Sequence, residues 1–171
     1  MNKNLKLIID QLLKNSSNPI VLKLLNKTLN QGIPFNIPHK FKFIEVSPKK
    51  VIIELPYTRN NRNHLGGIHA CATATLGEYP AGLLILKYFG IGTYRIIMSH
   101  LEVNYLKQAK EAITGHAILE ESEIERMHEE LALDDCTEIE MLTEIKNKNQ
   151  EVIATVQTTW QLKKWDKVKF K

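Results

Sequence analysis

The sequence is short of the features that mark several common classes of protein. Its 171 residues include only two cysteines, Cys71 and Cys136. They are too few for a disulfide framework, lack the paired spacing of a zinc site, and fit a reducing compartment. No apolar run reaches the ~20 residues of a membrane-spanning helix, because Lys87 interrupts the best one. The N-terminus has neither the apolar core nor the small-residue cleavage site of a secretion signal, so a cytoplasmic location is expected. There is no Gly-x-Ser-x-Gly elbow, which argues against a serine hydrolase. Nor is there a Lys/Arg block interleaved with aromatics, so no nucleic-acid groove is expected. Gly90-Ile91-Gly92 follows a helical stretch rather than linking a strand to one, and reads as a turn instead of a dinucleotide fingerprint.

What is present is an ordinary globular composition, 43% hydrophobic and 25% charged with a net charge of +4. A chain of this length can bury about 70% of its unfolded surface without staples. Leu5, Ile8, Ile9, Leu12 and Leu13 share a helical face over residues ~4–14. A second helix starts with Asn18 as N-cap and Pro19 at its first position, and Gly32 with Pro34 ends it. Both are expected to flank the main core. From Phe41 the period becomes two, with a strand pair around Phe41–Phe43 and Val51–Tyr57, and a polar loop from Thr58 to Asn63. A long apolar helix follows, with Pro80 predicting a kink inside it. Strands are then expected at residues ~93–106, 113–119, 137–145 and 152–162. A short helix precedes the third, opened by a capping box at Ser122-Glu123-Ile124-Glu125. The basic stretch Lys163–Lys169 reads as a solvated tail. The sum is an α+β fold in which an antiparallel sheet curls around one central helix.

The centre of the chain is the stretch from Asn63 to Glu78. From His69 to Lys87 the only ionisable side chain besides Cys71 and Tyr79 is Glu78. A helix that is apolar all round must be wrapped, and a lone carboxylate within it is costly unless paired, hydrogen-bonded or protonated. The spacing Asn63, Gly66, His69, Ala70, Cys71 and Glu78, with the strand end Tyr105-Leu106-Lys107-Gln108-Ala109-Lys110, resembles the hotdog-fold thioesterase superfamily. The phenylacetyl-CoA thioesterase-like branch and a related hotdog domain of unknown function are the nearest branches. The similarity runs over residues ~41–163. It leaves residues 1–34 as an N-terminal helical extension and residues 35–171 as the hotdog domain.

The resemblance implies roles. Glu78 matches a general base or nucleophile acting on a thioester carbonyl, and Ala70 matches a glycine whose N–H polarises that carbonyl. Asn63 and His69 match residues that position water or substrate. Gly67 and Cys71 would line the substrate, and Arg59, Arg62, Lys107 and Lys110 would hold the phosphates of coenzyme A or remain solvated. Coenzyme A enters as part of the substrate; no separate cofactor is implied. Three departures matter: Ala70-Cys71 replaces Gly-Gly, Lys107 stands where a hydroxyl is usual, and Pro80 lies two residues from Glu78.

Elementary geometry adds a constraint. The N–H groups of residues 69–71 open the helix and form an oxyanion site. Cys71 reads as a small residue packed in the first turn rather than as a nucleophile. Glu78 lies nine residues beyond His69, about 13 Å along the axis, whereas both groups must come within ~3 Å of the reacting centre. Two antiparallel copies of the helix in a homodimer meet that condition, so two shared sites are expected. Whether dimers pair into tetramers, and whether CoA or a carrier protein presents the acyl group, stays open. His64 and His69 lack a third ligand for a metal. Three readings follow: an acyl-CoA thioesterase, a non-catalytic acyl-CoA or fatty-acyl binding protein, and a hotdog dehydratase using His64 with Glu78. Glu78 as a merely structural acid also remains open.

Overall fold

The structure, a computed structural model, describes residues 3–168, with side chains from residue 6 onward. Four helices and six strands follow in the order α1 (Lys3–Lys14), α2 (Pro19–Gly32), β1 (Lys42–Val46), β2 (Lys50–Leu55), α3 (Ala70–Phe89), β3 (Tyr94–Tyr105), β4 (Ile113–Ile118), α4 (Glu121–Leu133), β5 (Cys136–Lys146) and β6 (Val152–Lys164). The strands form one sheet in the order β1-β2-β4-β5-β6-β3, and every neighbouring pair is antiparallel. Alternation sets the faces: β5 reads exposed-buried along nearly its whole length, with Ile139, Met141 and Ile145 inward.

The inward face wraps α3, which packs against β2, β4, β5 and β6. Twelve of its 20 residues are buried, and it runs unbroken through Pro80. Two glycines permit the close approach. A Cβ on Gly77 would lie 2.2 Å from Val156 Cγ2, and one on Gly115 of β4 would lie 2.7 Å from the Leu76 carbonyl oxygen. The helix therefore sits directly on the sheet at two strands.

The N-terminal helices flank this unit and also contribute to its core. Ile9, Leu12, Leu13, Leu25 and Leu29 join the same buried cluster as the sheet, while Ile8 and Leu24 are exposed; the side chain of Leu5 lies outside the described residues. Asn18 caps α2 by accepting the Ile20 N–H, as its position predicts. Lys87 of α3 donates to the Leu13 carbonyl at 2.6 Å and to Ser16 Oγ at 3.1 Å, and Ser16 Oγ donates to the Val46 carbonyl at 2.8 Å. One buried chain of hydrogen bonds thus ties the end of α1 to α3 and β1.

Two expectations are corrected. The α4 helix starts at Glu121 with Glu120 as N-cap and no side-chain cap, so Ser122 lies inside it and the capping box does not form. Glu121 and Glu123 in the first turn complement the helix dipole instead. The basic C-terminal stretch is not simply a tail. β6 carries it to Lys164, a 3-10 turn spans Trp165–Lys167, and Lys164 and Lys167 pair with Asp135 at 2.6 and 3.3 Å. Lys169 lies outside the described residues.

Gly77→Ala should test the helix–sheet contact. The added methyl meets a stiff β-branched neighbour, so the expected loss is about 1–3 kcal/mol, measured by urea denaturation. An unchanged midpoint would mean that α3 and β6 have room to part.

Candidate active site

The loop before α3 is built by side chains that satisfy its backbone. Asn63 Oδ1 accepts the N–H groups of Leu65 and Gly67, both at 3.0 Å, and the Asn63 N–H returns to the Gly67 carbonyl at 2.8 Å. Gly66, with φ +76°, makes the turn. Gly67 is buried, and a Cβ there would lie 2.5 Å from Gln108 Nε2. The side chain of Asn61, fully buried, donates to the His39 and Pro56 carbonyls and bonds the His39 ring, and its backbone carbonyl accepts the His69 N–H at 2.8 Å. Tyr57 hydroxyl donates to the Gly66 carbonyl. Asn61 and Tyr57 brace the loop and escaped the sequence reading, because a buried asparagine in a polar stretch has no pattern of its own.

His69 is the N-cap of α3. Its Nδ1 accepts the Cys71 N–H at 3.1 Å, which leaves Nε2 as the protonated nitrogen of the neutral ring. The expectation of three free amides at residues 69–71 is therefore reduced to one. His69 N–H is held by Asn61, Cys71 N–H is held by the cap, and Ala70 N–H alone remains. Ala70 lines a cleft of about 280 Å³ together with Asn63, Thr73, Tyr105 and Lys107. Cys71 is exposed, not packed, because residues 71, 75 and 78 fall on the one face of α3 that the sheet leaves open.

Glu78 lies on that same face but in a different cleft. This second cavity, of about 390 Å³, is walled by residues from α2 and its C-terminal turn, α3, Ile96 of β3 and Trp160 of β6. Burial pushes the Glu78 carboxyl above its ordinary value of 4.5, and no hydrogen bond or charge among the described residues opposes the shift. Within one chain the acid and the free amide remain eight residues apart, about 12 Å along the axis.

The strand β3 connects the two clefts. Its end at Tyr105 donates a hydroxyl hydrogen bond to the Ala70 carbonyl at 3.0 Å, and its start, through Ile96, lines the cavity with Glu78. β3 is one of the two edge strands of the sheet, and Leu101 and Tyr105 are exposed along it. The basic candidates separate. Lys107 and Lys110 border an adjoining cleft, with Lys107 3.6 Å from Glu151. Arg62 stacks over the Tyr57 ring, and Arg59 is exposed at the start of the 3-10 turn Arg59–Asn61. His64 is exposed and lines neither cleft.

Among the described residues no cluster of His, Cys, Asp or Glu could hold a metal ion, and no helix is long and apolar enough to cross a membrane.

A curled antiparallel sheet holding one long helix is the hotdog fold. Solved structures of that class match it. A Pseudomonas aeruginosa protein of unknown function, titled a probable thioesterase, is 24% identical with a TM-score of 0.77, covering 83% of this chain and 95% of that one. A Staphylococcus aureus thioesterase is 17% identical with a TM-score of 0.61, over 79% of this chain and 98% of that one. A Haemophilus influenzae thioesterase is 12% identical with a TM-score of 0.64, over 81% and 90%. At these identities the likeness concerns the fold. The chain belongs to the family described as a domain of unknown function, DUF4442, whose model matches residues 22–162. No curated protein matches it.

The raised Glu78 carboxyl has a consequence for stability. A folded value above the unfolded one gives stability that is complete below pH 4.5 and is lost as pH rises through the folded value. Glu78→Gln removes that loss. Its melting midpoint should exceed that of the unsubstituted protein at pH 8 and match it at pH 4; a difference of equal size at both would contradict the assignment.

Proposed function

We propose that the protein hydrolyses acyl thioesters, with coenzyme A or a carrier protein as the thiol, at two sites shared across a homodimer. The observation that carries this reading is the division of labour along the open face of α3. An unpaired, partly buried carboxylate stands at one place and the free Ala70 amide at another, with an unpartnered edge strand running between them. Such an edge is a template for a second copy. A twofold axis near the middle of β3 would bring each Glu78 beside the partner's Ala70 end, and the isologous contact repeats the site twice.

In the complete site, ionised Glu78 takes a proton from water, whose oxygen attacks the thioester carbonyl. The developing oxyanion receives the partner's Ala70 N–H, donated from the positive end of α3. Collapse breaks the C–S bond, and the proton on Glu78 returns to the departing thiolate. Asn63 has committed its carbonyl oxygen to the loop, so its Nδ2 is the group free to orient substrate. Lys107 and Lys110 lie beside the Ala70 cleft, where the nucleotide phosphates of coenzyme A would leave the site. The raised carboxyl value makes activity rise with pH through the Glu78 titration.

One observation favours a second reading, a silent acyl-CoA binding protein. A single amide is a leaner oxyanion site than the pair usual in acyl transfer, and Cys71 N–H is already occupied.

Two substitutions separate these readings. Glu78→Gln should abolish thiol release while acyl-CoA still binds. Ala70→Pro removes the free N–H at the first helical position, where proline is well tolerated, and His69 already has the extended backbone (φ −68°, ψ 138°) that must precede it. It should lower kcat about 10²- to 10³-fold with the fold intact by circular dichroism. Unchanged kcat in either variant would refute the mechanism, and binding without release by the unsubstituted protein would favour the silent reading.

A further inference from the structure

The cavity beside Glu78 is mainly apolar, with Asn36, Thr75, Glu78 and Tyr79 as its polar lining. Leu29 and Ile33 from α2 and its end, Leu83 and Leu86 from α3, Ile96 and Trp160 make up most of its wall. Besides Thr75 and Glu78, the lining holds two polar side chains that meet at one corner and that such a wall does not need. Tyr79 is 7% exposed, and its hydroxyl, shielded from solvent, has no hydrogen-bond partner among the described residues. Asn36, 5% exposed, lines the same cavity. Its side chain lies beside the Tyr79 hydroxyl and favours the ionised phenol, against the larger opposing effect of burial. No hydrogen bond of good geometry joins the two.

Buried polar groups are almost always paired, and an unpaired one calls for a partner that the chain does not supply. Phenylalanine at 79 would fill the same space and keep the edge-on contacts with Phe41 and Phe43. The hydroxyl therefore does nothing for packing. The hydroxyl and the amide are each both donor and acceptor, so together they can surround a single ligand oxygen.

We propose that this cavity receives the acyl chain and that Tyr79 and Asn36 bind a hydroxyl or keto oxygen carried on it. The inference rests on the thioesterase reading for the position of the thioester beside Glu78. The volume, about 390 Å³, lies within the range of small-molecule sites. At the ~30 Å³ that a water-sized unit takes up in a liquid, it holds at most about a dozen carbons. The α2 helix and the turn that follows it, Pro34–Asn36, supply one wall and half of the polar corner. The N-terminal segment would thus decide which acyl group is accepted. Gly82 sets the depth: a Cβ there would lie 2.8 Å from the Trp160 ring.

The test compares decanoyl-CoA with hydroxydecanoyl-CoAs bearing the hydroxyl near the thioester, at mid-chain or at the far end. Binding is measured by calorimetry on Glu78→Gln, and turnover on the unsubstituted protein. At least one hydroxylated chain should bind about tenfold or more tightly than the plain one. Adding Tyr79→Phe or Asn36→Leu should bring that ratio close to one. The Tyr79→Phe protein should melt no lower than its parent, since it loses only an unpaired hydroxyl. Equal affinity for all the chains, as a trapped water at the corner would give, overturns the proposal. So does a preference that survives both substitutions. If no thioester is hydrolysed and the binding preference persists, the hydrolase reading fails and the pocket assignment stands; hydrolysis without preference is the reverse.

Discussion

The structure depends on how closely α3 lies on the sheet. At Gly77 against Val156 and at Leu76 against Gly115, helix and strands meet with no room for a methyl group. Contact at that range fixes both the height of the helix and its rotation about its own axis. Leu76, Leu84 and Ile85 are fully buried as a result, and the opposite stripe through Cys71, Thr75 and Glu78 has no strand to cover it. A looser seat would let the helix roll, and the acid would have no defined direction.

The orientation gives Glu78 its chemistry. A carboxylate on a fully solvated stripe would be an ordinary surface acid, and one on the buried stripe could not reach substrate. Glu78 lies between these, walled by the turn after α2 on one side and open along the edge of β3 on the other. Loss of hydration raises its proton affinity, the direction that the proposed role as general base calls for. The N-terminal helices take part because Lys87 and Ser16 hold the end of α1 against α3 and β1, and Asn30 of α2 donates to the Phe41 carbonyl at 2.7 Å. They are packed into the unit and help to shape the cavity.

Much of the fold was legible in the sequence because periodicity carries it. The alternation in Thr137–Ile145 and Val152–Leu162, the proline-led start of α2 and the near-absence of charge between His69 and Lys87 each specify a local structure that burial then enforces. The capping box failed because Glu121 and Glu123 already met the needs of the helix end, so the first turn began two residues earlier than the motif suggests. The reading of Cys71 failed because small size was taken as a sign of packing, while the open stripe is set by the sheet's curl. Glu78 stood out by isolation alone. Tyr79 and Asn36 did not: their meeting depends on how the turn after α2 folds back over α3, a contact across more than forty residues with no periodic signature. The engagement of two of the three helix-entry amides was likewise hidden, since it follows from the His69 rotamer and from Asn61.

The central claim is that neither chain holds a whole site. Ala70→Pro and Glu78→Gln proteins, the first nearly and the second wholly inactive alone, can be unfolded together, refolded as a mixture and assayed for thiol release. Mixed dimers would pair an intact Glu78 from one chain with an intact Ala70 amide from the other. About a quarter of the normal activity is then expected, since half of the dimers are mixed and each has one sound site of two. A mixture as inactive as its components, although mixed dimers are present by mass spectrometry, would contradict the account.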